Sequence, residues 1–123
     1  FPYTTLFRSD PVFNKFGEAI SCLTNIYNLS ITLYESESFT DRGAKSLLSA
    51  AKKLQKLESM QLIVPSAKSL TNLTVAVLRE TLMNLPRLTN AYVSFSRESA
   101  INFEELVKLK SDICKHVILM IEN

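Results

Sequence analysis

The chain contains little glycine, proline, cysteine or histidine, and it has no tryptophan. Its 123 residues include 2 glycines, 4 prolines, 2 cysteines and 1 histidine. So few glycines and prolines exclude a low-complexity or linker-rich chain, and two isolated glycines cannot form a phosphate-binding loop. Two cysteines without a CxxC pair are too few for a disulfide framework or a zinc site, which favours a reducing, cytoplasmic setting.

A dominant charge and a long apolar run are lacking as well. Fourteen basic and twelve acidic residues leave a net charge of +2, which is not the strongly basic balance of a dedicated nucleic-acid binder. The longest uncharged stretch, Ala19 to Tyr34, is interrupted by Ser, Thr and Asn and is shorter than the ~20 apolar residues of a bilayer span. We therefore expect no membrane-spanning helix.

The scarcity of histidine also bears on catalysis and metal binding. Glu-x-x-His, the pattern of di-iron sites in helical bundles, does not occur. Asp112 and His116 have the spacing of a base and its orienter, but such a pair is typical of a helix surface when no oxyanion hole accompanies it. The sequence predicts no enzyme, no cofactor, no metal site and no small-molecule substrate.

The first nine residues, Phe-Pro-Tyr-Thr-Thr-Leu-Phe-Arg-Ser, resemble the conceptual translation of a common sequencing adaptor. We expect residues 1–9 to be non-native and residues 10–123 to form a single domain. Because the true start is then not in view, the lack of a signal peptide does not argue for the cytoplasm. The cytoplasmic prediction rests on the cysteine content.

Apolar residues recur at three- and four-residue spacing along most of the chain, which is typical of amphipathic helices. The pattern predicts four helices, at about 10–35, 40–62, 66–98 and 102–121, with N-caps at Asp10, Thr40, Ser66 and Asn102. Pro86 predicts a kink or break of the third helix near Asn84. Strand signals are nearly absent. The predicted fold class is therefore all-α, an antiparallel up-down-up-down four-helix bundle.

Two further expectations depend on this bundle. The segments NLSITL (28–33) and NAYVSF (90–95) resemble each other, which would make the domain two helical hairpins if the repeat is genuine. Cys22 and Cys114 would lie at the same level of the bundle, and we expect them to be buried free thiols.

One face of the predicted first helix carries no charge at its centre. Such depletion is typical of interface cores, and tyrosines at its border can bury their rings while the hydroxyls stay in water. The alternative is that this face of the helix is only a polar surface, or that it is covered by a segment that was lost with the true N-terminus. We predict self-association or docking of a partner protein through Ser21, Asn25, Tyr27, Asn28, Thr32 and Tyr34.

The predicted second helix carries a basic ridge made of Arg42, Lys45, Lys52, Lys53 and Lys56. Such a ridge can follow the phosphates of a nucleic acid, but no aromatic residues for base stacking lie among these cations. A solvated face is the plain alternative.

The predicted function is a non-enzymatic helical-bundle interaction or scaffold module that acts through protein-protein contacts and forms a homo-oligomer. The alternative is a small helical subunit of a nucleoprotein assembly.

Overall fold

The computed structural model describes residues 10–33, 39–113 and 117–122. In these ranges helices and strands alternate along the chain. The order is α1 (Asp10–Ser21), β1 (Asn28–Thr32), α2 (Asp41–Ala51), β2 (Ser59–Val64), α3 (Asn72–Met83), β3 (Asn90–Phe95), α4 (Phe103–Ile113) and β4 (Ile118–Glu122). The strands form one parallel sheet in the order β1-β2-β3-β4. The fold is therefore α/β.

The strands and the helices recur at a regular interval in sequence. Asn28 pairs with Ser59, and Ser59 pairs with Asn90, so the interval from β1 to β2 equals that from β2 to β3. We call this interval one repeat. Helices α2, α3 and α4 begin one repeat apart, at Asp41, Asn72 and Phe103. Each strand and helix form one unit that stacks on the next, which is the arrangement of a solenoid.

The last strand departs slightly from this regularity. Asn90 pairs with Ile118, so β4 comes three residues earlier than the repeat predicts. The connection from α4 to β4 is correspondingly shorter than the connections that follow α2 and α3.

The core lies between the sheet and the helices. Crossovers between parallel strands have one preferred hand, which brings all the helices onto the same face of the sheet. Residues at the same place in successive repeats are buried together. Examples are Ile26, Leu57 and Leu88, then Leu29, Met60 and Ala91, then Leu33, Val64 and Phe95, and then Phe39, Leu70 and Ile101.

The predicted all-α bundle is wrong. The first predicted helix contains both α1 and β1, because Leu29, Ile31 and Leu33 alternate at a period of two but also fall on the helical rows extended from α1. The apolar residues of 10–33 therefore combine the apolar stripe of α1 with one face of β1, and together they match a single long helix. The other predicted helices each combine a helix and a strand in the same way: 40–62 holds α2 and the first four residues of β2, 66–98 holds α3 and β3, and 102–121 holds α4 and all but the last residue of β4.

The break expected near Pro86 also belongs to that wrong interpretation. Helix α3 ends at Met83, its C-cap is Asn84, and the chain continues into strand β3 rather than into a restarted helix. The segments NLSITL and NAYVSF resemble each other because they are strands β1 and β3, which lie two repeats apart. They do not mark two helical hairpins.

Cys22 is exposed at the end of α1, and its Sγ lies 3.5 Å from the carbonyl oxygen of Glu18. Its predicted burial is therefore wrong. Cys114 and His116 lie outside the described residues, as do residues 1–9, whose non-native origin stays a prediction.

None of the helices in the described ranges has the length and apolar character needed to cross a bilayer.

Candidate protein-binding surface

The face of the sheet that points away from the helices is built from alternate strand residues. In β1, β2 and β3 every second residue, such as Leu29, Leu62 and Val93, is buried in the core. The residues between them therefore lie on the opposite face of the sheet. The strand register aligns these residues in three rows, which we call the open face. The rows are Asn28, Ser59, Asn90 and Ile118, then Ser30, Gln61, Tyr92 and Met120, and then Thr32, Ile63, Ser94 and Glu122.

Exposure varies across the open face. Asn28 and Asn90 are exposed at the start of their strands, whereas Thr32 is only 6% exposed. On β4, Ile118 is 70% exposed and Met120 is 63% exposed. Because the crossovers bring the helices of the described residues onto the core side of the sheet, none of them packs on this side. The open face therefore offers a wide surface whose most apolar part lies on the last strand.

Of the twelve positions in these rows, only Glu122 at the end of β4 is a charged residue. The helical side is different, since Arg42, Lys45, Glu80, Lys108 and Lys110 are all exposed there. Protein-protein interface cores are depleted in charge and enriched in tyrosine and methionine. The open face fits that composition, with Tyr92 beside Met120 in the same row.

The repeats are joined at the start of the helices by hydrogen bonds to one side chain. Asp41 accepts from the N–H of Thr71 at 2.9 Å and from its hydroxyl at 2.6 Å. It also accepts from the hydroxyl of Thr74 at 2.5 Å. Partial burial raises the pKa of Asp41, but the hydrogen bonds from Thr71 and Thr74 outweigh it, so this pKa lies below its ordinary value. One repeat later, Asn72 Oδ1 accepts from the N–H of Asn102 at 3.0 Å.

The predicted protein interface is divided between two places. Asn28 and Thr32 lie on the open face. The other described residues precede β1: Ser21 donates to the carbonyl of Glu18, and Tyr27 is exposed. Tyr34 lies outside the described residues. The interface therefore stays a prediction.

Most of the open face was not predicted from the sequence, including Ser30, Gln61, Ile63, Tyr92 and Met120. The sequence signal for these residues is the alternation of polar and apolar residues in three short segments spaced one repeat apart. Each segment alone is only five or six residues long. A strand that short is easily read as part of a neighbouring helix.

The basic ridge lies on and after α2, on the helical side of the molecule. Arg42, Lys45 and Lys53 are exposed. Lys52 forms an ion pair with Glu80 at 2.6 Å, and this hydrogen bond together with the positive charge of Lys52 lowers the pKa of Glu80. Lys56 donates to Asn25 Oδ1 at 2.8 Å. Two of the five cations thus have partners within the chain, and nucleic-acid binding by this ridge stays a prediction.

The described residues contain no group of three or more His, Cys, Asp and Glu side chains placed to hold a metal ion. Asp112, which sequence analysis paired with His116, lies 3.5 Å from the guanidinium of Arg79 in the preceding helix. It takes part in the packing of α3 against α4.

Comparison with protein-family models and with curated proteins finds no match. Among solved structures, the chain is similar to that of the leiomodin-1 actin-binding site 2 (ABS2), with a TM-score of 0.67 and 13% sequence identity. The similarity covers 94% of this chain and 64% of that chain, so this chain spans less than two thirds of its length. At this identity the likeness shows the fold alone, an α/β fold with a parallel sheet.

Proposed function

We propose that this chain is a non-enzymatic protein-binding module whose partner lies across the open face of the sheet. The observation that carries the proposal is the scarcity of charge on the open face, where Glu122 at the end of β4 is the one charged residue in the three rows, together with the placement of the described helices on the other side of the sheet. Parallel sheets are usually covered on both faces. A solenoid leaves one face accessible along its whole length, and proteins of this architecture use such a surface for binding.

The side chains of the open face suit a protein partner. Tyr92 lies in the middle row between Gln61 and Met120, where its ring can be buried and its hydroxyl can stay hydrogen-bonded. Tyrosines in such central positions often carry much of the binding energy of an interface. Asn28, Ser59 and Asn90 supply amide and hydroxyl groups along the neighbouring row, which can hydrogen-bond to a partner without the cost of burying a charge.

The similar solved structure is, by its name, an actin-binding site. Its name supports a protein as the class of partner. Because the sequence identity is only 13%, we do not propose actin itself as the partner of this chain. Self-association is the finer part of the proposal. It is supported by Asn28, the residue of the predicted interface that is exposed on the open face.

The proposal can be tested by site-specific photo-crosslinking. A photo-reactive phenylalanine analogue is placed at Tyr92, and in a control at Leu73, which is 68% exposed on α3. Both proteins are irradiated in an extract of the cells from which the chain comes, and crosslinked proteins are identified by mass spectrometry. We expect a protein, or a second copy of this chain, to be captured from position 92 and not from position 73.

The captured protein is then purified and its affinity is measured. A Tyr92→Lys variant should bind at least about tenfold more weakly, because the substitution buries an unpaired charge. Leu73→Lys should bind as the parent does. Equal capture from both positions, or an affinity that Tyr92→Lys leaves unchanged, would show that the open face is not the binding surface.

A further inference from the structure

A small pocket lies where the chain leaves strands β2 and β3. The turn after β2 and the loop after β3 enclose a volume of about 400 Å³. Strands β2 and β3 each have a described strand on both sides, so the pocket lies inside the solenoid and not at one of its ends. Its lining residues come from matching places in two successive repeats and are Pro65, Ser66, Lys68, Ser96, Arg97 and Glu98.

Hydrogen bonds fix the two chain segments around the pocket. The N–H of Ala100 donates to the carbonyl of Leu70 at 3.1 Å, which ties the second loop to the first. Ser96 is buried, and its Oγ accepts from the N–H of Glu98 at 3.1 Å. The hydroxyl of Ser99 donates to the carbonyl of Ser96 at 2.8 Å. The pocket is therefore formed before anything binds in it, which lowers the entropic cost of binding.

The charged side chains of the pocket favour an anion. Lys68 Nζ lies 2.8 Å from a carboxylate oxygen of Glu98, and Arg97 lines the same pocket. Two cations and one carboxylate leave one positive charge in excess. A concave site with such an excess attracts negatively charged groups.

Glu98 shows which kind of anion fits. Its carboxylate is already bound to Lys68, and both side chains are well exposed, at 66% and 58%. An exposed ion pair of this kind contributes little to stability, so it can be exchanged at little cost. Lys68 and Arg97 also carry several N–H donors each, and together they can bind a second carboxylate beside that of Glu98.

The pocket adjoins the open face at the carboxyl ends of the strands. Pro65 follows Ile63 by two positions, and Ser96 follows Ser94 in the same way. Ile63 and Ser94 belong to the last row of the open face, and two residues of extended chain span no more than ~7 Å. None of the twelve open-face positions is a cation. A protein that covers the open face therefore meets the cations of the pocket at this edge.

We propose that the pocket binds a carboxylate of the protein that covers the open face. An aspartate or glutamate side chain of the partner accepts hydrogen bonds from Lys68 and Arg97 while the rest of the partner lies over Tyr92 and its neighbours. One carboxylate neutralises the single excess charge of the pocket, which favours it over a doubly charged phosphate. This inference rests on the proposed function and deepens it, because it names the chemical group that the partner presents.

The pocket can be tested without the partner protein. The probe is acetyl-tetraglutamate amide, and the matching tetraglutamine peptide is its uncharged control. In nitrogen–proton correlation NMR spectra of the full chain, the glutamate peptide should shift the amide signals of the pocket residues in a saturable way. The glutamine peptide should not shift them. The same spectra report whether each variant is folded.

Two double variants separate the pocket from the other cations of the chain. Lys68→Gln with Arg97→Gln should weaken binding of the glutamate peptide at least about tenfold, because both cations of the pocket are removed. Lys45→Gln with Lys53→Gln changes the net charge equally, at exposed positions on the helical side. In this control the pocket signals should respond as they do in the parent.

A change at Glu98 should act in the opposite direction. Glu98→Gln removes the carboxylate that competes for Lys68, so the glutamate peptide should bind about threefold more tightly. Glu104→Gln, at an exposed position of α4, removes the same charge away from the pocket and should leave the affinity unchanged.

The same variants are then measured against the protein captured from position 92. Lys68→Gln with Arg97→Gln should bind it at least about fivefold more weakly. Partner binding that this variant leaves unchanged, while Tyr92→Lys abolishes it, would overturn the pocket and keep the open face. Glutamate-peptide shifts that persist in the double variant would also overturn the pocket. Peptide binding at the pocket together with a partner that Tyr92→Lys does not affect would instead contradict the proposed function.

Discussion

Asp41 in the first turn of α2 binds both the N–H and the hydroxyl of Thr71, the N-cap residue of α3, at 2.9 and 2.6 Å. The two residues are 30 positions apart in sequence, and their contact joins one repeat to the next. Asn72 and Asn102 are joined across the same interval one repeat later. The start of each of these helices is therefore fixed by a side chain of the preceding repeat.

Replacing Asp41 by Ala should lower the free energy of unfolding by about 2 kcal/mol, because it leaves the N–H of Thr71 and the buried hydroxyl of Thr74 without their acceptor. Asp41→Asn should lose less, since an asparagine already fills this role at position 72. Urea unfolding followed by circular dichroism measures both. Arg42→Ala, at the neighbouring exposed position, should change stability by less than ~0.5 kcal/mol. If Asp41→Ala is no less stable than Arg42→Ala, the contact does not hold the repeats together.

The charge of Asp41 should make part of the stability depend on pH. Its folded pKa lies below the ordinary value of 3.8, so folding favours the carboxylate. This contribution is present in full above the ordinary value and is lost as the pH falls through the folded pKa. The stability difference between the parent and Asp41→Asn should therefore be largest near about pH 6 and should shrink by about pH 2.5. Urea titrations at both pH values check this, and a difference that grows in acid would contradict it.

Gly17 allows α1 to approach α2 closely. A Cβ at this position would lie 3.0 Å from the backbone oxygen of Ser46, and a backbone oxygen cannot rotate away. Gly17→Leu, which introduces the residue that position 48 has, should lower the free energy of unfolding by about 1–3 kcal/mol through overpacking. Gly17→Ala should be closer to the parent, since the better helix propensity of alanine offsets part of the strain by up to about 1 kcal/mol. Thermal and urea unfolding measure both variants, and a Gly17→Leu protein as stable as the parent would show that α1 can move away at no cost.

Local sequence signals located several boundaries of the fold. Thr40 and Asn102 were predicted as N-caps, and α2 and α4 begin directly after them, at Asp41 and Phe103. Of the other two predicted caps, Asp10 is the first residue of α1, and Ser66 was wrong, because it lies in the turn after β2 and the N-cap of α3 is Thr71. Residue type at a helix start is a local signal, although the side chain of Thr40 makes no cap hydrogen bond. Pro86 was likewise recognised as incompatible with a continuous helix, and it lies in the turn between α3 and β3.

The strands could not be found in this way. Helices of 11 or 12 residues are followed, within a few residues, by strands of five or six, so a window long enough to detect a helix includes both. The apolar residues Leu29 and Ile31 then match a helical row as well as they match a strand face. The resemblance of β1 to β3 is visible in the sequence, but these two strands lie two repeats apart. Only the strand between them, β2 (SMQLIV), shows that one repeat is half of that spacing.

The sequence by itself determined the apolar positions of the core, several helix starts and the lack of charge around Asn28 and Thr32, because each depends on residue type and local bonding. Tertiary structure alone decided that Leu29 and Ile31 belong to a strand. A strand of a parallel sheet is stabilised by hydrogen bonds to partners a full repeat away, as Ile31 pairs with Leu62, and no local propensity encodes such a partner. The same distant pairing brings Asn28, Ser59 and Asn90 into one row, and it thereby creates the open face.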